Sequence, residues 1–289
     1  MDLFTDPIAF KEAVLSLDAK HLLPAGLSSA EYRQMGTAMR NTSFFSARTY
    51  LTNVLDQYKQ SVDSILDPTT ETREDRITPD NPEGKVTTGM NPATARARMK
   101  AFFEKIGYSA KLGEEGTIKD LASDARINLV VKTNVQMNQG AGQFIQGNAN
   151  QDVIDAFPAW ELVRYEDREV PRGERLGPKG AIVDDPGNDW PSRFRAAAEE
   201  AGDDAALEVL EKTGRMIALK SSGVWQALGD GAGGHDDTLG NPFPPFAFNS
   251  GMWTEDVSYA DCVELGLLDE GDKVEPAEFD LLSLFKEAA

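Results

Sequence analysis

Two residue types that usually betray chemistry are nearly missing from this sequence. Cys262 is the only cysteine, so no internal disulfide can form and thiolate metal clusters are excluded. The only histidines, His21 and His235, stand far apart, and a histidine-based zinc site needs more ligands than these. No apolar run approaches the ~20 residues of a membrane span. The first residues, Met1-Asp-Leu-Phe-Thr-Asp6, lack the basic start and apolar core of a signal peptide. Synthesis in a cytoplasm is the expectation, with no membrane partner.

Positive charge is scarce in one half. The net charge is −19 over 289 residues, and residues 151–289 carry thirty acids against twelve bases. The first 150 residues are almost balanced. An acidic C-terminal half repels a phosphate backbone, so direct nucleic-acid binding by it is not expected. Solubility is the plainer reading of the charge, and a basic partner surface the sharper one.

What is present begins with Asn241-Pro-Phe-Pro-Pro-Phe-Ala-Phe-Asn-Ser-Gly-Met-Trp253, which holds four aromatics and three prolines in thirteen residues. Prolines fix the backbone, and the rings of Phe246, Phe248 and Trp253 require something to pack against. That something is either the domain's own core, with Trp160 or Trp225 nearby, or a partner.

The order of segments predicts an α+β protein: a helical N-terminal region over 1–66, a linker over 67–91, and an acidic domain over 92–289 with a small, mainly antiparallel sheet. From Ser43, the residues Phe44, Ala47, Leu51, Val54, Leu55, Tyr58, Val62 and Ile65 recur at three- and four-residue steps, which predicts one long helix capped by 41–43 and stopped at Asp67-Pro68. Its stripe, with Phe44, Leu51 and Tyr58, serves either its own domain or docking on another subunit. The proline-rich linker favours an attachment element separable from the main fold. Asn91-Pro92 predicts the start of a helix running to Ile106. Thr117-Ile-Lys-Asp120 predicts a helix that Gln139–Gly142 breaks near Met137. Strands are expected at 159–165 and 215–220, a polar loop at 172–189, and helices at 191–201, 203–212, 258–265 and 276–287.

Chemical motifs are tested and set aside. Gly229-Asp-Gly-Ala-Gly-Gly234 matches GxGxxG, but His-Asp-Asp follows where a helix N-terminus should receive a pyrophosphate. The pairs at 184–185, 203–204 and 236–237 lack the spacing of an oxygen-ligand loop, and capping or solvation is their expected role. Ser250 is not in a nucleophile elbow, and Cys262 sits inside a helix. No catalytic, cofactor or metal residue is therefore assigned. Arg164-Tyr-Glu-Asp-Arg168-Glu-Val-Pro-Arg172 is a charge run ending a strand: either a solvated edge, or an interface network using Arg164, Arg168 and Arg172.

Taken together, Val130-Val-Lys-Thr-Asn134, the strand end Glu166–Arg172, Ser222-Gly-Val-Trp-Gln-Ala-Leu228, and Pro244-Pro245 leading to Phe248-Asn-Ser-Gly-Met252 resemble the Mu F-like family of phage head morphogenesis (minor head) proteins over roughly 117–260. Gly173-Glu174 stand where that family carries a histidine, and Asn249-Ser-Gly251 where it carries a cysteine pair. The resemblance implies a structural protein made in the host cytoplasm and held in the virion interior, with the portal and other virion proteins as partners; a homo-oligomer is compatible with it. Related domains resemble ADP-ribosyltransferases, but no Glu-x-Glu or Gln-x-Glu occurs here, so that activity is not carried over. The competing expectation is a transferase or hydrolase whose site is assembled from dispersed residues.

Overall fold

The computed structural model describes residues 10–68, 70–72, 77–79, 82, 85–87, 91–148, 150–166, 172–176 and 181–276. It is a mixed helix and sheet protein whose largest sheet is a three-stranded antiparallel one, an α+β fold. The chain divides into two compact units. The first comprises 1–32 and 42–142 (with 288–289), and the second 33–41 and 143–287.

The first unit is helical, with short strands. It contains α1 (Lys11–Asp18), β1 (His21–Leu22), most of α2 (Ser29–Arg33), β2 (Ser43–Phe44), α4 (Thr52–Leu66), β3 (Thr70–Thr72), β4 (Lys85–Thr87), α5 (Pro92–Lys105) and the first part of α6 (Asp124–Asn148). The intervening α3 (Thr37–Asn41) belongs with the second unit. Asn91 caps α5 as its sequence demands: the side-chain carbonyl accepts from Thr94 N at 2.8 Å. Val54, Leu55, Tyr58 and Val62 line one face of α4, and they share a core with Leu17, Phe44, Met99, Phe103 and Ile127. Buried polar groups are tied in. The Tyr58 hydroxyl donates to Leu121 O, and Arg126 donates to Ser46 Oγ and Ala47 O.

Several expectations change here. The helix foreseen from Ser43 begins at Thr52. Ser43 and Phe44 instead pair in parallel with His21 and Leu22, and Arg48 turns the chain with φ 57°. The helical spacing of Phe44 and Ala47 is coincidental, because Phe44 is claimed by the pairing with β1 and Ala47 lies in the turn made at Arg48. Within the presumed linker, β3 and β4 form an antiparallel pair. No boundary falls at 67–91, since the core of this unit joins residues on both sides of it. Phe44 and Tyr58 are accordingly core rather than docking residues, whereas Leu51 is 48% exposed.

The helix predicted from Thr117 starts at Asp124, with Ser123 Oγ accepting from Arg126 N at 3.1 Å. Asp120 is spent on the preceding turn, accepting from Gly116 and Ala122 N. Nor does α6 break at Gln139–Gly142. A Cβ on Gly142 would lie 2.8 Å from Ala13 N, so the glycine admits the close approach of α1, and that packing offsets its roughly 1 kcal/mol helical penalty. The buried amides of Asn134 and Asn138 donate to carbonyls one turn back, at Val130 and Asn134.

Lys20 is an unusual constituent of this unit, being only 5% exposed. Burial, with Lys59 adding like-charge repulsion, lowers its pKa from 10.5 to about 8. The unfolded chain then holds this proton more tightly than the fold does. Stability is therefore lowest below pH 8, where both states are charged, and rises toward 10.5 by about 3 kcal/mol. Cys262 acts in the opposite sense: burial raises its thiol pKa from 9.0 to about 11, so its contribution fades across that window. The measurement is thus a difference. Urea melts of the wild type and Lys20→Met at pH 7 and 10 should show the wild type gaining on the variant by that amount, and parallel profiles would refute the assignment.

The second unit is built on a sheet of order β8-β5-β9: β5 (Ala159–Arg164) pairs antiparallel with β8 (Ile217–Leu219) and with β9 (Met252–Val257). Around it stand α7 (Gln151–Ala156), α8 (Trp190–Ala201), α9 (Asp204–Thr213), α10 (Val224–Asp230) and α11 (Tyr259–Glu264). Asp189, Asp203 and Ser258 cap α8, α9 and α11 through their side chains, and Gly202 and Gly214 end α8 and α9 in the left-handed region. The polar stretch expected as a loop contains an antiparallel pair, β6 (Glu174–Leu176) with β7 (Ile182–Asp184). The helix expected over 276–287 lies outside the described residues, apart from Pro276. No described helix is long and apolar enough to cross a membrane.

Candidate functional site

The aromatic-proline stretch leads inward. Phe246 is fully buried and stacks on Trp225 with centroids 6.0 Å apart and planes 24° apart. Trp225 in turn meets Trp160 edge-on at 5.8 Å, and Phe243 lies 6.0 Å from Phe144. The Pro244–Pro245 bond is cis. Phe248 is half-buried, and so is Trp253, whose ring lies 6.3 Å from the exposed Tyr165. Of the three aromatics singled out in the sequence, Phe246 thus belongs to the core. Phe248 and Trp253 stay partly at the surface.

A charged cluster ties this stretch to the end of the charge run. Asp237 accepts from Arg193 Nη1 at 2.8 Å and from Arg172 Nη1 in a short contact. Arg172 Nη2 also donates to Phe248 O at 3.0 Å, and Phe248 N donates to Asp237 O at the same distance. Arg193 further donates to Asn188, through Nε to the carbonyl and Nη2 to the side-chain oxygen. The two guanidinium groups also lie 5.3 and 5.4 Å from the Trp190 ring, a cation–π arrangement in which the carboxylate neutralises much of the charge. Burial works against the Asp237 carboxylate, but the Arg193 hydrogen bond and the two positive charges outweigh it and hold its pKa below the usual carboxylate value.

Beside this cluster opens a polar cleft of about 480 Å³, lined in part by Asp185, Asn188, Arg193, His235 and Asp237. Burial first, and then Arg193, push the His235 pKa below its usual value, with Asp237 opposing. The shift favours the neutral imidazole. No group of three or more His, Cys, Asp or Glu side chains that could hold a metal ion occurs among the described residues. Gly229–Gly234 closes α10 rather than following a strand: Gly231 is left-handed and its N–H donates to Ala227 O. Ser250 is buried, its Oγ accepting from Met252 N at 3.1 Å. Chemically, then, the arrangement is a clamp with an open polar flank.

Arg172 is held in the clamp with a 6% exposed side chain, while Arg164 is exposed and donates to Glu166 O. Arg168 lies outside the described residues. Trp190, Arg193 and Asp237 escape sequence reading, because the acid lies 44 and 65 residues from its two partners. The helix over 191–201 was legible, but nothing local pointed its residues at Asp237.

The clamp carries a stability prediction. Asp237→Asn removes the Asp237 charge from beside two guanidinium groups that are 6% and 4% exposed as side chains. Breaking a fully buried pair costs about 3–5 kcal/mol; since Asp237 is one-third exposed and water screens it, about 2–3 is expected at pH 7. The depressed carboxyl pKa means that this contribution is present above the unfolded value near 3.8 and is lost as pH falls through the folded one. Denaturant melts of both proteins at pH 7 and at pH 3 check it: the gap should narrow in acid, and a gap independent of pH would refute the ion-pair account.

Comparison of this chain with protein-family models, with curated proteins and with solved structures finds no match.

Proposed function

We propose that the chain is a minor head protein of a tailed phage or prophage, a non-enzymatic structural component made in the host cytoplasm and carried in the virion, where the portal and other virion proteins are its partners. The observation that carries this reading is the joint packing of three of the four segments behind the Mu F-like resemblance, the fourth, Val130–Asn134, belonging to the first unit. The strand β5, the strand-end Arg172, the Trp225 helix and the Pro-Pro loop meet in one unit, where Trp225 stacks on Phe246 and Arg172 holds the carbonyl of Phe248. Segments separated by up to 76 residues serve a shared core and clamp. The clamp also suits a scaffold more than a catalyst, because its charged groups are committed to one another.

The test is direct. Heads purified from an induced host that carries this chain are separated from free protein by density and analysed by quantitative mass spectrometry. The chain should co-sediment in fixed ratio to the portal protein. Its absence from heads that do contain the portal would remove the proposal.

A further inference from the structure

A second cleft in the sheet unit, of about 410 Å³, has no part in the clamp. Its lining includes Gly147, Asp152, Val153, Phe157, Trp160 and Asp256. That volume falls within the range of small binding pockets. The walls combine the apolar Val153, Ala156, Phe157 and Trp160 with the amides of Gln143 and Gln146, and Phe157 is left 41% exposed. Two carboxylates mark the rim: Asp152, exposed in the first turn of α7, and Asp256 on β9, with a 45% exposed side chain.

The inner side of the same wall already holds a cation. Lys220, with a fully buried side chain, places Nζ 2.7 Å from Asp256 Oδ1 and 5.4 Å from the Trp160 ring. The contact is an ion pair rather than a well-aligned hydrogen bond. Trp160 Nε1 donates to the same oxygen at 3.0 Å. Aromatic face and carboxylate together are therefore a combination that this protein uses for an amine. Position 147 is glycine because a Cβ would come within 2.9 Å of Trp160, and its absence lets the cleft reach the indole.

We propose that this cleft is the docking pocket for an arginine side chain presented by a partner protein. This rests on the reading of the chain as an assembly component. The apolar walls accept the aliphatic stem, Phe157 offers a face for the planar guanidinium, and Asp152 and the outer side of Asp256 supply acceptors. Lys220 neutralises one of the two rim acids, which leaves a net negative site in a half of the chain with thirty acids against twelve bases. An anionic or purely aliphatic occupant would instead leave Asp152 desolvated and unpaired.

Two measurements on the full chain test this. In the first, acetyl-Ala-Ala-Arg-Ala-Ala-amide is titrated while the Trp160 indole N–H resonance is followed, alongside the same peptide with citrulline, a neutral isostere, in place of arginine. The arginine peptide should shift the resonance saturably, and citrulline should weaken binding roughly tenfold or more. In the second, Asp152→Asn/Phe157→Ala, whose changes lie at the surface of the cleft, should still melt cooperatively, within a few degrees of wild type, bind the arginine peptide roughly tenfold more weakly, and be depleted from purified heads. Equal binding of the citrulline peptide, undiminished binding by the variant, or wild-type incorporation of the variant into heads overturns the proposal. If the wild-type chain itself is absent from heads, the minor-head reading fails, and the peptide titration alone decides the pocket.

Discussion

A chain that begins at residue 67 is expected to lose the cooperative fold of its first unit. The deletion removes Leu17, Phe44, Val54, Leu55, Tyr58 and Val62, all buried, and uncovers their partners Met99, Phe103 and Ile127. At roughly 1.5–3 kcal/mol for each of these nine large side chains whose burial is lost, the total is about 14–27 kcal/mol, as large as or larger than the 5–15 kcal/mol of a whole domain. It also leaves Arg126 without its acceptors at Ser46 and Ala47. Hydrogen exchange on the 67–289 fragment should therefore find α5 and the first half of α6 unprotected. The sequence alone argues the reverse, a soluble and well-folded remainder, because a proline-rich stretch over 67–91 resembles a tether. Amides of 95–103 that stay protected in the fragment would restore that view.

Phe246→Ala is the second large effect. The ring is fully buried against Trp225, so its removal leaves a cavity walled by rigid aromatics that cannot collapse into it. The expected cost is about 3–5 kcal/mol, the usual range for emptying a buried aromatic site. One term runs the other way. Phe246 has φ 49°, a left-handed backbone that a bulky residue occupies only under constraint from its surroundings. Alanine pays much the same backbone penalty, so the constraint is not relieved; Phe246→Gly relieves it and should lose less than its greater loss of side chain suggests. Phe248→Ala, at a half-buried position, should cost distinctly less than Phe246→Ala. Equal losses at 246 and 248 in denaturant melts would mean that the ring stack is not what holds this stretch.

Much of the secondary structure was legible because its signals are local. Asn91-Pro92, Asp189 and Asp203 each sit within three residues of the N–H that they cap. The strands at 159–164 and 217–219, and the glycines at 202 and 214 that close two helices, are likewise set by neighbours in sequence. β9 went unforeseen, because Met-Trp-Thr-Glu-Asp-Val is polar where a strand pattern should be apolar, and pairing with β5 makes it a strand. The start of α4 and the continuity of α6 were misread for the same reason: β1 captures residues 43–44, and α1 fills the space at Gly142.

What the sequence determined by itself is therefore the α+β class, the capped helices, an acidic C-terminal half, and a proline-braced aromatic stretch in need of burial. What only the tertiary structure decided is which contacts that inventory makes: that Phe44 and Tyr58 are core, that Arg172 and Arg193 converge on Asp237, and that Asp152 and Asp256 share a cleft with Phe157 and Trp160. Caps and turns act over a few residues and leave their mark in local order. Ion pairs, hydrogen bonds and ring contacts between residues 21 to 99 positions apart depend on how the whole chain closes, and no local pattern encodes them.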